Sequence, residues 1–202
     1  CIRDRQGIES VGRAAGFEVA LGAEEKCDTA AKRAVQLLAA PPVKGGKYPV
    51  VLNQKLGGVF AHEAFGHLSE ADHIYENEKL REIMVLGKEF GPKYLNIIDD
   101  GSYPGGRGTH PFDDEGVPTG ETYLIKEGVL VGRLHNRETA AKLEERPSGN
   151  ARAISWAHAP IVRMTNTYIA AGQGNFEDLI KDIELGVYAL SLIHISEPTR
   201  PY

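Results

Sequence analysis

The chain has 202 residues, 42% of them hydrophobic and 25% charged, enough for one large globular domain or parts of two. A formal net charge of −5, with no local block of lysine or arginine, leaves no electrostatic footprint for nucleic acid. No apolar run approaches the roughly 18 residues that span a bilayer, and two cysteines, Cys1 and Cys27, build no disulfide framework, so the expected location is the cytoplasm.

Residues 1–23, with spaced glycines, read as strand and turn material. From Glu24 to Ala40 the apolar positions Cys27, Ala30, Ala31, Ala34, Val35 and Leu38 follow the i, i+3, i+4, i+7 stripe of an amphipathic helix. Pro41 and Pro42 end it, and "PPVKGGK" marks a boundary, dividing residues 1–42, expected to close an N-terminal α/β domain, from residues 43–189. "YPVVLN" reads as a buried strand leading into the segment "GGVFAHEAFGHLSEAD". Beyond it, "YLNIIDDG" is a strand closed by a turn, "ETYLIKEGVLVGRL" a hairpin about "KEG", and "IVRMTNTYIA" another strand. Helices are expected over Asn77–Val85, Arg137–Leu143 and Phe176–Glu184, the last with Asn175 as its N-cap. Strands and helices interleave without a β-α-β rhythm, which predicts an α+β fold. The chain begins at Cys1 rather than Met, and "LSLIHISEPTR" resembles a translated adapter of transposon-based sequencing libraries. Residues 190–202 are therefore expected to be a non-native tail, with the natural chain continuing beyond Ala189.

The chemistry concentrates in His62, Glu63 and His67. Zinc takes neutral imidazole nitrogens at about 2.0–2.1 Å, and a nearby carboxylate outside the ligand set can take the proton of an attacking water. The order matches the metalloprotease H-E-x-x-H pattern, with one extra residue. On a regular helix, i and i+4 differ by about 40° in direction but i and i+5 by about 140°, so the two imidazoles would face apart. A π-type bond at the motif, eased by Gly66, or a helix end near Gly66 brings them back together. The plainer reading is a buried histidine, an exposed glutamate and a surface histidine. Glu70 stands as a third ligand or as a partner holding a ligand imidazole, and His73 as a surface residue.

Asp113, Asp114 and Glu115 lie in a glycine-flanked loop that reads as a second cation site, a cap or a solvated acidic turn. Asn150, Arg152, Arg163 and Asn166 sit near strand ends, where they either grip a substrate backbone or serve structural hydrogen bonding. His110, His135 and His158 lack partners at metal spacing and read as structural or surface residues, and Trp156 as a packing residue.

The blocks "HEAFGHLSEAD", "IIDDG", "FDDEGVPT", "ETYLIKEGVLVGRLHNRETA", "PSGNARA" and "APIVRMTNTYIAAG" together resemble the TldD/PmbA family, long described as modulators of DNA gyrase and understood as metal-dependent peptidases. The resemblance covers roughly residues 49–188, and the motif matches the TldD-like type, which carries H-E-x-x-x-H. It implies that residues 43–189 are part of a β-rich metallopeptidase domain, that His62 and His67 bind zinc, and that Glu63 is the general base. It also implies a third ligand, a cysteine in the family's C-terminal portion. Cys1 and Cys27 do not match that position, so the cysteine is expected beyond Ala189 and the chain alone is expected to be inactive. Implied partners are a peptide substrate, unfolded or extended, and a second TldD/PmbA-family subunit. Two rival expectations are a non-catalytic peptide-binding subunit and a gyrase-associated regulator.

Overall fold

A computed structural model of the protein describes residues 5–42 and 44–190. The chain forms two compact units, one of residues up to Lys47 with Gly105–Arg107, the other of the remainder.

In the first unit, Phe17–Ala20 make a 3-10 turn and Glu24–Ala39 form helix α1. Residues 5–9 lie against α1, and residues 5–13 form no strand, because among the described residues no neighbouring strand offers them a hydrogen-bond ladder. Arg5 Nε donates to the Leu37 carbonyl (3.3 Å), and Arg33 Nη1 donates to the Ile8 carbonyl (3.3 Å) and to Glu9 (2.8 Å). A Cβ at Gly7 would stand 1.8 Å from the Ala30 carbonyl oxygen, so only glycine permits this close approach. The strand expected in this region is thus absent from its described residues. The apolar stripe of α1 is present in sequence, yet no residue of the helix is buried.

The second unit opens with β1 (Val50–Leu52), then α2 (Gln54–Ala61), α3 (Ala71–Glu76) and α4 (Glu78–Ile83). Strands β2 (Ile97–Asp100), β3 (Glu121–Lys126) and β4 (Val129–Leu130) follow, then α5 (Arg137–Leu143), β5 (Ala151–Arg152), β6 (Ile161–Val162), β7 (Thr167–Ile169), α6 (Phe176–Ile180) and β8 (Val187–Ala189). The principal sheet is antiparallel in the order β4-β3-β2-β7; β5 pairs with β6, and β1 lies parallel to β8. The fold is α+β.

Local chemistry explains most of these elements. Glu127 and Gly128 both take positive φ (49° and 80°), the conformation a two-residue turn needs between β3 and β4. Asn136 and Thr139 exchange a reciprocal capping box at the start of α5, and Asn175 caps α6 by accepting from the Asp178 amide. Three expectations change. Helix α6 stops at Ile180, short of the expected Glu184. The strand at "YPVVLN" is not buried: Val50 is 54% exposed, because among the described residues β1 pairs with β8 alone. The strand "IVRMTNTYIA" divides into β6 and β7, which join different sheets, because Thr165 and Asn166 between them bond to the β2 segment and its following loop.

The core gathers Ala61, Ile74, Met84, Ile97, Leu124, Ile125, Leu130, Leu134, Val162 and Met164, with Phe65 and Phe90 packed on it edge to face, 5.7 Å apart. Ala61 and Phe65 flank the His-Glu segment, so that segment is anchored directly to the core.

Candidate metal centre

Asn53 starts the site. Its side chain accepts from the Lys55 amide at 2.9 Å and caps α2, while its own N–H bonds the Ala189 carbonyl of β8 at 2.8 Å. Helix α2 ends at Ala61, and the chain continues as a π turn over His62–Gly66, with the His67 amide donating to the His62 carbonyl. A 3-10 turn over His67–Ser69 then tightens the path. The extra residue of the π turn is what the five-residue histidine spacing requires. The two imidazoles meet edge to face, centroids 4.7 Å apart, and one ligating atom each from His62, Glu63 and His67 lies within 4.8 Å of the others.

Gly66 serves this geometry differently from the sequence expectation. Its φ and ψ, −59° and −63°, are ordinary helical values, so no backbone freedom is needed. A Cβ there would instead stand 2.0 Å from the Met164 sulfur. The glycine lets the π turn lie against the core while His62 and His67 remain partly accessible and Glu63 exposed.

A second group of ligating atoms, from Glu70, Asp72 and His73, adjoins the first in sequence. Glu70 is fully buried, and its Oε2 lies 3.2 Å from His67 Nδ1, 3.3 Å from Arg163 Nη1 and 3.6 Å from His73 Nδ1. Asp72, which sequence reasoning passed over, accepts the His73 amide (2.9 Å) and the Val162 amide (3.2 Å). Its position two residues after Glu70 and beside His73 was the available signal.

The sequence model of the PmbA/TldA metallopeptidase C-terminal domain matches residues 45–200. The chain belongs to the TldD/PmbA family. A metalloprotease of Synechocystis is 51% identical over 183 residues, covering 91% of this chain and 40% of that protein. A protein of Saccharolobus solfataricus, named a zinc metalloprotease TldD homolog, is 37% identical over 168 residues, 80% of this chain and 36% of its own length. Among solved structures, a Thermotoga maritima protein described as a proposed modulator of a DNA gyrase superposes with a TM-score of 0.68 at 31% identity. That likeness covers 83% of this chain and 37% of the other. The chain thus spans about two fifths of the curated relatives it matches. The family match runs into residues 190–200, the stretch set aside on sequence grounds; residues 191–202 of the expected tail lie outside the described residues, as does Cys1.

The other sequence candidates make well-defined contacts. Asp113 is buried, accepting from the Glu115 and Val117 amides at 3.0 and 2.8 Å and from the Ala151 amide at 3.0 Å. Asp114 accepts from the Ala153 amide at 2.8 Å, and Glu115 from the Arg137 amide at the start of α5 at 2.7 Å. These carboxylates act as caps, and among the described residues they form no group at metal spacing. Asn150 is buried between Asp99 Oδ2 (2.8 Å) and the Arg163 carbonyl (3.0 Å). Asn166 ties the Gly108 amide to the Asp100 carbonyl, both at 2.8 Å. Arg152 is exposed on β5.

His135 is buried, with Nδ1 3.2 Å from Thr139 Oγ1 and Nε2 3.1 Å from Glu145 Oε2. Burial pushes its pKa below the ordinary value, against the opposing pull of Glu145. His158 is exposed against Ser155, and His110 is half-buried. Trp156, expected to pack, is 98% exposed: it sits in the loop before β6, and no described residue covers it.

Proposed function

We propose that this chain carries the zinc-binding half of a peptidase site, with His62 and His67 as ligands and Glu63 as general base. The observation that carries the reading is the π turn, which brings two histidines of otherwise divergent spacing beside one carboxylate. The donor set suits zinc: two imidazoles, with an accessible carboxylate that need not be a ligand. When bound, the ion would supply Lewis acidity toward a peptide carbonyl and acidify a water. Glu63, exposed beside the imidazoles, would take that water's proton. The name of the Saccharolobus solfataricus relative supports the choice of zinc.

The substrate would be an unfolded or extended peptide. Strand β7, at one end of the principal sheet, packs against both α2 and the π turn, and strand addition is a general way to hold extended chains. The third ligand, a cysteine, would come from sequence beyond Ala189, and a second TldD/PmbA-family subunit would complete a cytoplasmic enzyme. In this division residues 1–42 would close an N-terminal α/β domain, residues 43–189 would belong to the catalytic domain, and residues 190–202 would be a foreign tail. The 202-residue chain alone would bind zinc weakly and cleave nothing, since two imidazoles leave the ion a ligand short.

Zinc content by elemental analysis, beside cleavage of an unfolded peptide by the full-length parent, tests the reading. Glu63→Gln is expected to keep the metal and lose most hydrolysis, and His67→Ala to lose both. Full activity in Glu63→Gln would overturn the mechanism even with zinc present.

A further inference from the structure

Glu70 presents a buried carboxyl group whose surroundings are lopsided. Its Oε1 has no hydrogen-bond partner among the described residues, while His67, His73 and Arg163 converge on Oε2. Burying a carboxylate is costly unless it is paired, and here the contacts all fall on Oε2. Arg163 is itself tightly fixed. Its Nη1 also donates to the Val162 carbonyl at 2.7 Å, and its backbone exchanges hydrogen bonds with Asn150, which is tied in turn to Asp99 of β2. The carboxylate is thus held from the sheet side and presents one oxygen to His67.

Two other roles fit the geometry less well. As a direct ligand, Glu70 would need to share an ion with His62 and His67, yet its ligating atom groups with Asp72 and His73 instead. A second cation between Glu70, Asp72 and His73 would face the Arg163 guanidinium at 3.3 Å from the same carboxylate oxygen, and both Asp72 oxygens are already taken by backbone amides. The Arg163 charge opposes a divalent ion there.

We propose that Glu70, braced by Arg163, positions His67: it accepts the Nδ1 proton, fixes that tautomer and ring orientation, and leaves Nε2 as the metal-binding atom. The inference rests on the reading of His62 and His67 as ligands. A carboxylate behind a ligand imidazole also raises its basicity, and losing such a partner costs about 10–100-fold in metal affinity. Glu70 and Arg163 are positioning residues in this scheme. They touch neither ion nor substrate.

Two measurements test it. Nitrogen-15 NMR of the histidine rings in the metal-free 202-residue chain should show His67 with its proton on Nδ1, and Glu70→Ala should release it toward the Nε2–H form that free imidazole side chains favour. In the full-length parent, chelator competition should show zinc binding weakened about 10–100-fold by Glu70→Ala, and by less in Glu70→Gln, which keeps an acceptor oxygen. Arg163→Lys, which keeps the charge, should lie nearer to wild type than Arg163→Met. Circular dichroism checks folding, and the milder Glu70→Gln and Arg163→Lys variants serve if Glu70→Ala does not fold. An Nε2–H tautomer of His67 in the wild-type chain would overturn the proposal. So would unchanged zinc affinity in a folded Glu70→Ala protein, or a zinc-bound carboxylate oxygen seen by X-ray absorption that vanishes in Glu70→Gln. A wild-type parent that binds no zinc would defeat the metal reading, while the tautomer in the metal-free chain still judges the positioning role.

Discussion

Asp99→Ala removes the acceptor at the centre of the frame that holds Arg163. The Asp99 carboxylate is 1% exposed and receives four donor groups: the Thr165 amide at 3.0 Å, Thr165 Oγ1 at 2.8 Å, Thr167 Oγ1 at 2.7 Å and Asn150 Nδ2 at 2.8 Å. The two hydroxyls can rotate toward other acceptors. The Thr165 amide cannot, and Asn150 Nδ2 already commits its other hydrogen to the Arg163 carbonyl. Two donors are therefore left unsatisfied, one on buried Asn150 and one on half-buried Thr165. With hydrogen bonds to a charged group contributing about 1.5–3 kcal/mol each, the expected loss is about 3–6 kcal/mol. A domain's whole stability is only about 5–15 kcal/mol, so the variant should be marginal. Asp99→Asn is the control. Its amide oxygen, in the place of Oδ2, still accepts from Asn150 Nδ2, the Thr165 amide and Thr165 Oγ1, while the Thr167 hydroxyl, which lies on Oδ1, turns to accept from the new NH₂, so the loss should be about 1–3 kcal/mol. Urea denaturation followed by far-ultraviolet circular dichroism, with the slope checked for constancy, gives both values. A loss below about 1 kcal/mol in Asp99→Ala would show that Asp99 does not organise these strands, since even one orphaned buried donor costs about that much.

Other outcomes follow from the same contacts. Because burial lowers the His135 pKa in the folded state, the unfolded chain takes up a proton first on acidification. That contribution to stability is complete above the ordinary histidine value and declines as pH falls below it toward the folded pKa. Urea midpoints at about pH 7.5 and 5.5 should differ accordingly, and His135→Gln should reduce the difference; an unchanged slope would contradict the burial. Gly66→Ala should destabilise, since overpacking against Met164 costs about 1–3 kcal/mol and the gain in helix propensity returns about 1 kcal/mol. The double variant with Met164→Ala should lose less than the two single losses combined, and simple additivity would refute the clash. Trp156 is the chain's single tryptophan, so its fluorescence should be that of a water-exposed indole, freely quenched by iodide. Blue-shifted, protected emission would show it covered.

The sequence by itself determined what a few neighbouring residues decide among themselves. Helix α1 occupies Glu24–Ala39 and α5 Arg137–Leu143 because apolar periodicity and an asparagine cap act within one or two turns. The β3–β4 hairpin follows from "KEG", whose last two residues accept positive φ. The π turn was legible too, since five-residue histidine spacing on a 3.6-residue helix leaves few ways to align two imidazoles. The tertiary structure decided which distant groups meet. Glu70 finds Arg163 across 93 residues, and Asp99 finds Thr165 across 66. Likewise β1 pairs with β8 rather than entering the principal sheet, and Asp113 caps a loop. Composition and spacing reward each of these polar residues about equally as surface, ligand or cap. Only the packed chain sets which buried donor faces which acceptor, because a buried polar group must be satisfied by whatever the fold brings within about 3 Å of it.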